Sequence, residues 1–481
     1  MISKFLREQK RYSQRELCAI FECSEEKVVP IIRKLKEFGV FKAVRATDTQ
    51  RSMSELLEED IEVADVETGE DEYLYVLTFV GVITVAGRVL KCYPKYLLHN
   101  SEPKKELHQI IKVLQKFNKK EQIVRVFNNS SVDHAFNLLA VLLFFLTDYY
   151  ENGSYTNTED IVQHNGSGEI LWDKTINETF MFLSDNRPYY IDLQTKKRIE
   201  DNYDYFKRLH ECILTTASKE LRQADLLEIF EITEVNLSDE LLDDFGDRDY
   251  ILSRIEKELN IQFNTRKQIL LKTIYAYIAH SGSLYDTDCL SMFGTNSFSL
   301  VWERVCADIL DNKLDAPLSS LRLPVPLRPE YYPSSKLIDL IERPLWTITG
   351  KTSVDTLIPD LITIVEKDDK KIFVIFDAKY YNALLEPGVQ PRAHPGIESV
   401  TKQYLYQLAY QKFIKDHQFA YVRNCFLMPT DGDRVINKGA VSLQMLDNLD
   451  LQRIQVRLIP AQMAFRLYLA EMKLNPEGLD L

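Results

Sequence analysis

Two short, largely apolar runs joined by a polar turn constrain this chain more than any other stretch. Leu361–Val365 and Ile372–Phe376 flank Glu366-Lys367-Asp368-Asp369-Lys370-Lys371. Runs of this length, rich in β-branched and aromatic residues and bounded by turn chemistry, read as the two strands of a hairpin. With Asp368-Asp369 at the tip, the register places Asp360 opposite Asp377. Facing residues of an antiparallel pair have Cα atoms roughly 4.5–5.5 Å apart. Strand side chains alternate between faces, so Lys379 emerges on the same side as Asp377. The pattern Pro359-Asp360 … Asp377-Ala378-Lys379 therefore predicts two carboxylates and an amine on a common face at one end of a hairpin.

That grouping suits a hard divalent cation, Mg²⁺ or Mn²⁺, which takes oxygen ligands and keeps several waters. Such an ion polarises a phosphoryl oxygen and lowers the pKa of a bound water. Asp360 and Asp377 are the expected metal ligands, with Glu303 on a preceding helix as a further ligand or base. Lys379 is expected to orient the attacking water and to stabilise charge developing on a phosphate. Gln403, near the start of a later helix, is expected to orient the lysine or touch a DNA backbone, and Tyr404 beside it to do the same or simply to pack. Plainer readings stand beside these. A lone Asp-x-Lys on a strand is usually a surface pair, and an aspartate after proline is often a turn residue. His394 and Arg392, in a Pro-rich loop, are more ordinary as solvated loop residues than as a base and a phosphate contact. Trp172-Asp173 and Trp346 read as packing and capping residues.

At 481 residues the chain is too long for one ordinary core, and length alone suggests about three domains. No apolar run approaches the roughly 20 residues that span a bilayer, and the first residues lack the apolar stretch of a secretory signal. Seven scattered cysteines without a Cys-x-x-Cys pair suggest reduced thiols and a cytoplasmic setting, and give no case for zinc. The net charge of −13 is unlike a protein whose main task is to grip DNA. It suggests weak autonomous DNA affinity and delivery by a partner.

The expected fold is α+β and multidomain. Residues 1–100 form a winged-helix-like and β module. Ser13-Gln14-Arg15-Glu16 is a capping box opening a short helix through Phe21. A second helix runs to about Phe38, with Val28, Ile31, Ile32 and Leu35 on one face, and ends at Gly39. The second helix of a helix-turn-helix can enter a major groove, but its outward face here is mixed in sign, and protein contact is the plainer use. Residues 48–72 are charged and poor in aromatics, reading as a solvated excursion. Tyr73 to Tyr96 reads as β structure with turns at Gly81 and Gly87. Residues 101–283 read as a mainly helical middle domain whose most apolar helix is Asn137–Tyr150. Residues 284–481 read as an α/β domain. It carries a helix at Ser297–Leu310, the hairpin, a helix near Ser399–Asp416, strands near Ala420–Met428 and Ile454–Leu458, and a last helix. Asn165-Gly166-Ser167-Gly168 lacks the strand, glycine loop and helix of a phosphate cradle, and no nucleotide-binding motif is found.

The run Pro359-Asp360 … Asp377-Ala378-Lys379-Tyr380-Tyr381, followed by Lys402-Gln403-Tyr404-Leu405-Tyr406-Gln407, resembles the PD-(D/E)XK nuclease superfamily. More narrowly it resembles the LlaJI family of restriction endonuclease subunits, relatives of McrC. Asp377 stands where many superfamily members have glutamate. The stretch Phe79–Ile83 through Tyr93-Pro94-Lys95 is similar to the N-terminal β region of McrC-like proteins. The resemblance implies a C-terminal PD-(D/E)XK nuclease domain, Mg²⁺-dependent cleavage of double-stranded DNA, a role in phage defence, and an McrB-like AAA+ GTPase partner that binds the nucleotide. A homodimer and a motor-bound monomer both fit. Two other readings remain at this point: a non-catalytic DNA-binding regulator working through the helix-turn-helix, and an autonomous repair or defence nuclease.

Overall fold

The computed structural model describes residues 2–45, 73–118, 136–200, 204–280, 282–286, 289–449 and 451–481. The acidic stretch expected as a solvated excursion, residues 48–72, lies outside them. The chain divides into two compact units, one made of residues 1–128 and 292–481, the other of residues 129–291.

The N-terminal elements follow from local signals. Ile2–Arg7 (β1) and Arg11–Tyr12 (β2) precede a helix at Gln14–Phe21. Ser13 caps it as expected: Ser13 Oγ accepts from the Glu16 N–H, and the Glu16 carboxylate accepts from the Ser13 N–H at 2.8 Å. The next helix, Glu25–Glu37, buries Val28, Ile31, Ile32 and Leu35. Phe41–Arg45 (β3) and Tyr73–Leu77 (β4) complete an antiparallel sheet ordered β2-β4-β3. Val80–Val85 (β5) and Arg88–Tyr93 (β6) form a hairpin, with β1 pairing parallel to β6. Gly87, at φ +69°, is in the expected turn, but Gly81 is not a turn residue. It lies within β5 at φ +142°, where a Cβ would sit 2.1 Å from the Phe293 carbonyl oxygen. Close backbone approach, not chain reversal, requires glycine there. A helix at Lys104–Asn118 follows.

The second unit is mainly helical, as expected, and carries a β insertion that was not expected. Its helices at Leu138–Asn152, Tyr205–Gln223, Arg248–Ile261 and Thr265–His280 lie where the apolar periodicity places them. Between the first two sits a β insertion. Thr158–His164 (β7), Glu169–Ile170 (β8) and Gln194–Glu200 (β11) form a sheet ordered β7-β11-β8, and Met181–Ser184 (β9) pairs with Arg187–Tyr190 (β10). Pro188 obscured the second hairpin, because proline in a run argues against a strand. A two-stranded ribbon has only edges, and there proline is tolerated. Trp172, opening the short Trp172–Glu178 helix, is 54% exposed, so it is not the packing residue it was expected to be.

Leu290–Thr295 (β12) returns to the first sheet, giving the order β1-β6-β5-β12. The Phe298–Ile309 helix follows, then a long irregular segment containing the small hairpin of Leu345–Trp346 (β13) and Lys351–Thr352 (β14). Trp346 is also exposed, its indole N–H donating to Ser353 Oγ at 2.8 Å, which again corrects a packing role. Leu361–Lys367 (β15) and Lys370–Ala378 (β16) then form the hairpin in the expected register, Leu361 opposite Phe376. Asp368 and Asp369 both adopt left-handed φ, near +50° and +58°, the backbone of a two-residue hairpin turn. Tyr421–Thr430 (β17) pairs parallel to β16, Ile454–Pro460 (β19) parallel to β17, and Ile436–Val441 (β18) antiparallel to β19. The five-stranded order is β15-β16-β17-β19-β18. β18 was not expected, because Ile436-Asn437-Lys438-Gly439-Ala440-Val441 carries little apolar alternation and a register shift interrupts its pairing. Phe373 and Ile375 of β16 pack with Tyr406, Tyr410 and Phe413 of the Ile397–Asp416 helix, which covers that face.

Candidate active site

The hairpin register delivers the first carboxylate. Asp360 precedes β15, and its Oδ2 accepts the Ala378 N–H at 2.7 Å, so the aspartate is tied to the opposite strand between Asp377 and Lys379. Asn312 braces the same point. Its amide donates to the Asp360 carbonyl at 3.4 Å and its Oδ1 accepts from the Ile362 N–H at 3.1 Å. Nothing in the sequence pointed to Asn312, which stands 48 residues from Asp360 and joins it only through the fold.

Asp377, the last residue but one of β16, has its side chain 3% exposed. Lys379 Nζ lies 3.0 Å from Asp377 Oδ1 and remains 23% exposed, open to a ligand. The Lys379 N–H donates to the Leu427 carbonyl at 2.8 Å, which extends the β16–β17 ladder by one step. The indole N–H of Trp302 donates to the same carbonyl at 3.1 Å. Trp302 is fully buried and precedes Glu303, so one backbone oxygen fixes both the lysine and the helix that presents the glutamate.

The electrostatics are those of acids crowded together. Burial pushes the Asp360 carboxyl up to about 9, helped by the charge of Asp377 and a hydrogen bond to it, then by Glu303, while Lys379 opposes. Burial likewise raises Glu303, with Lys379 lowering it and Asp377 raising it. Burial disfavours the charged Lys379, but Asp377 and then Asp360 outweigh it and raise its pKa, keeping the ammonium protonated. The acids therefore lie within reach of one another's fields, and the folded site favours the protonated form of Asp360.

Of the five residues singled out from sequence, the structure brings Asp360, Asp377 and Lys379 into one cluster with Glu303 nearby. Among the described residues, however, no three His, Cys, Asp or Glu side chains converge tightly enough to hold a metal together. Gln403 is fully buried. Its amide donates to the Ile375 carbonyl at 2.9 Å, two residues before Asp377, and its Oε1 has no hydrogen-bond partner. Tyr404 lies in an apolar cluster with Val400, Phe426 and Met428. Tyr406, three residues after Gln403, was not singled out, yet Asp377, Asp360 and Glu303 all add to the effect of burial in raising its hydroxyl. Spacing of three on a helix is the signal that finds it. His394 is exposed and its Nδ1 lies 2.9 Å from the Pro395 carbonyl. Exposed Arg392 pairs its backbone with Leu384.

Gly350-Lys351-Thr352, which ends like a phosphate-binding loop, sits in the small exposed hairpin at β14 with no helix after it. It lacks the strand-to-helix geometry that aims backbone N–H groups at phosphates. All seven cysteines are free thiols. No helix among the described residues is long and apolar enough to cross a membrane.

Comparison with known proteins gives three findings. The family model described as LlaJI restriction endonuclease matches residues 79–325 and 332–464. The type II restriction enzyme BsuMI component YdjA of Bacillus subtilis (strain 168) is 26% identical over 415 residues, covering 84% of this chain and 83% of that protein. Two structures of Thermococcus gammatolerans McrBC assemblies align at 12% identity. A half-complex of McrB AAA+ hexamers with bound McrC has a TM-score of 0.36 and covers 97% of this chain and 99% of that one. The McrBC complex has a TM-score of 0.25 and covers 63% and 85%. At these scores the likeness is loose.

Proposed function

The chain belongs to the LlaJI restriction endonuclease family, and we propose that it is the subunit that cuts double-stranded DNA in a restriction system, through a PD-(D/E)XK-type site at Asp360, Asp377 and Lys379. The observation that carries this reading is the convergence of those three side chains at one end of β15 and β16.

The donor set fits Mg²⁺. It is all oxygen, and burial first, then the charge of Asp377, raises the Asp360 carboxyl, a cost that a divalent cation would relieve. Asp360 and Asp377 would hold the ion, with waters completing its sphere, since Mg²⁺ is commonly bound through one or two carboxylates. Bound there, it would polarise a phosphoryl oxygen and acidify a water. Lys379 is held protonated by its acidic neighbours, so it acts as a donor to the phosphate or the attacking water, not as a base. Its pairing with Asp377 aims the ammonium at the metal face. Glu303, partly buried on its helix, would serve as the base for the attacking water or hold a water beside the ion. Gln403 pins the Ile397–Asp416 helix to β16 and so keeps the metal face rigid.

The chain supplies no P-loop, and its charge of −13 argues for delivery to DNA. We therefore place an McrB-like P-loop NTPase beside it as the partner that binds DNA and nucleotide, in the cytoplasm. The exposed apolar ribbon of β9 and β10 is the kind of surface a partner covers. Plasmid cleavage with Mg²⁺, with and without an McrB-like NTPase and its nucleotide, tests the reading. Metal-dependent cutting that Asp377→Ala abolishes supports it. Cutting that survives in both Asp377→Ala and Lys379→Ala removes it.

A further inference from the structure

We infer that Glu8, Lys95 and Tyr380 are positioning residues for the cleavage reaction: a buried polar cluster at the edge of the first sheet holds the chain segment that carries Lys379. The inference rests on the reading of Lys379 as the group that meets the phosphate.

Lys379 needs support that the hairpin does not provide. β16 ends at Ala378, so the lysine stands one residue past the strand. Its own N–H reaches Leu427, but the residues after it have left the sheet. The next three side chains all turn to the first sheet instead. The Tyr380 hydroxyl donates to Glu8 Oε2. The Tyr381 ring lies 5.7 Å from Lys95 Nζ, which sits closer still, 4.4 Å, over the Tyr380 ring. The Asn382 amide donates to the Lys95 carbonyl at 2.7 Å. The Lys95 N–H is shared between Glu8 Oε2 at 3.1 Å and the Tyr380 hydroxyl at 3.3 Å. Glu8 is fixed in turn by its N–H on the Tyr93 carbonyl, just past the paired ends of β1 and β6.

The cluster is expensive in desolvation, and an ordinary apolar contact would hold a sheet edge as well. Glu8, Lys95 and Tyr380 are all less than 9% exposed. Burial pushes the Glu8 carboxyl up, against Lys95 and the Tyr380 hydroxyl, and pushes the Lys95 ammonium down to about 8, against Glu8. Buried polar groups of this kind define one geometry, because any displacement leaves a group unpaired. Tyr380 also packs 5.4 Å from Phe298, the first residue of the helix bearing Glu303. The Tyr380 hydroxyl is committed to Glu8, and its ring lies against Lys95 and Phe298. It therefore sets the position of both reacting elements without touching the reacting atoms.

The test is single-turnover plasmid cleavage by the full chain with its NTPase, at saturating Mg²⁺ and DNA, beside thermal melts and DNA affinity. Tyr380→Phe and Glu8→Ala are expected to slow cleavage by about tenfold or more, since small misplacements of reacting groups have effects of this size, with DNA affinity unchanged. Glu8→Gln, which keeps an acceptor for Tyr380, is expected to stay within about threefold of wild type. A merely structural tie would lower the melting temperature and leave the cleavage rate at permissive temperature alone. Should Tyr380→Phe not melt cooperatively, Asn382→Ala decides: slowed cleavage sustains the inference, and a wild-type rate overturns it. Wild-type rates in folded Tyr380→Phe and Glu8→Ala, beside an inactive Asp377→Ala, overturn the positioning role alone. Cleavage that survives in both Asp377→Ala and Lys379→Ala overturns the nuclease reading itself.

Discussion

The β15–β16 hairpin and the β9–β10 hairpin reverse direction in the same way and end in opposite surroundings. Each turns through two residues with left-handed φ, Asp368-Asp369 in one and Asp185-Asn186 in the other. Each brings its strands into antiparallel register. The first buries nearly every residue of β16 and carries charge into that burial. The second leaves Phe182 53% and Leu183 65% exposed, with Phe180 and Ile191 at its ends more open still. The turn makes a hairpin; neighbouring strands and covering helices decide whether it becomes a scaffold for buried charge or a displayed surface.

That contrast is sharpest at the proposed catalytic end. Lys379→Ala and Asp377→Ala are expected to lower metal-dependent cleavage on the order of a thousandfold, the size of effect seen when a group stabilising transition-state charge is removed. Plasmid cleavage measures it, and comparable cutting by either variant would make the two hairpins equally dispensable. The next largest effect is on folding. Phe373, fully buried against Tyr410 and Phe413, should destabilise by about 3–5 kcal/mol when cut to alanine, read from chemical denaturation of its unit. Glu303→Gln should slow cleavage by about tenfold, in the range for groups that tune a metal site from outside its ligand set.

Metal and pH form a fourth test. The Asp360 carboxyl is raised from 3.8 to about 9 in the folded chain. The folded state therefore holds a proton there that the unfolded state has lost, and this group's contribution to stability falls as pH rises from about 4 through about 9. On the proposed reading, Mg²⁺ would take the place of that proton. The increase in melting temperature on adding Mg²⁺ should be larger at pH 8.5 than at pH 6, and absent in Asp377→Ala. A shift independent of pH would separate the proton from the metal face. The smallest effect belongs to the exposed ribbon. Phe182→Ser should leave stability within about 0.5 kcal/mol while reducing NTP-stimulated cleavage, and equal stimulation would show that the ribbon's exposure serves no partner.

How much was legible follows from how far apart the interacting residues are. Asp360 and Asp377 are joined by 16 intervening residues and one tight turn, so strand period and turn chemistry were enough to pair them. The amphipathic helices were placed by the same kind of local periodicity. The β insertion escaped because its strands are polar, exposed or interrupted by Pro188, so the apolar alternation that marks a half-buried strand is missing. Ile436–Val441 escaped for a similar reason, being mostly exposed at a sheet edge. The role of Gln403 was half legible: its helix and its nearness to the strand were expected, but its bond to the Ile375 carbonyl was not.

By itself the amino-acid order determined the hairpin, its register and the face shared by two acids and a lysine, because these depend on residues close along the chain. Only the tertiary structure decided what holds that face in place. Trp302 meets Leu427 across 125 residues and Glu8 meets Tyr380 across 372. Such contacts form only when separate sheets and helices pack, and desolvation, which no local pattern records, then makes their polar partners obligatory.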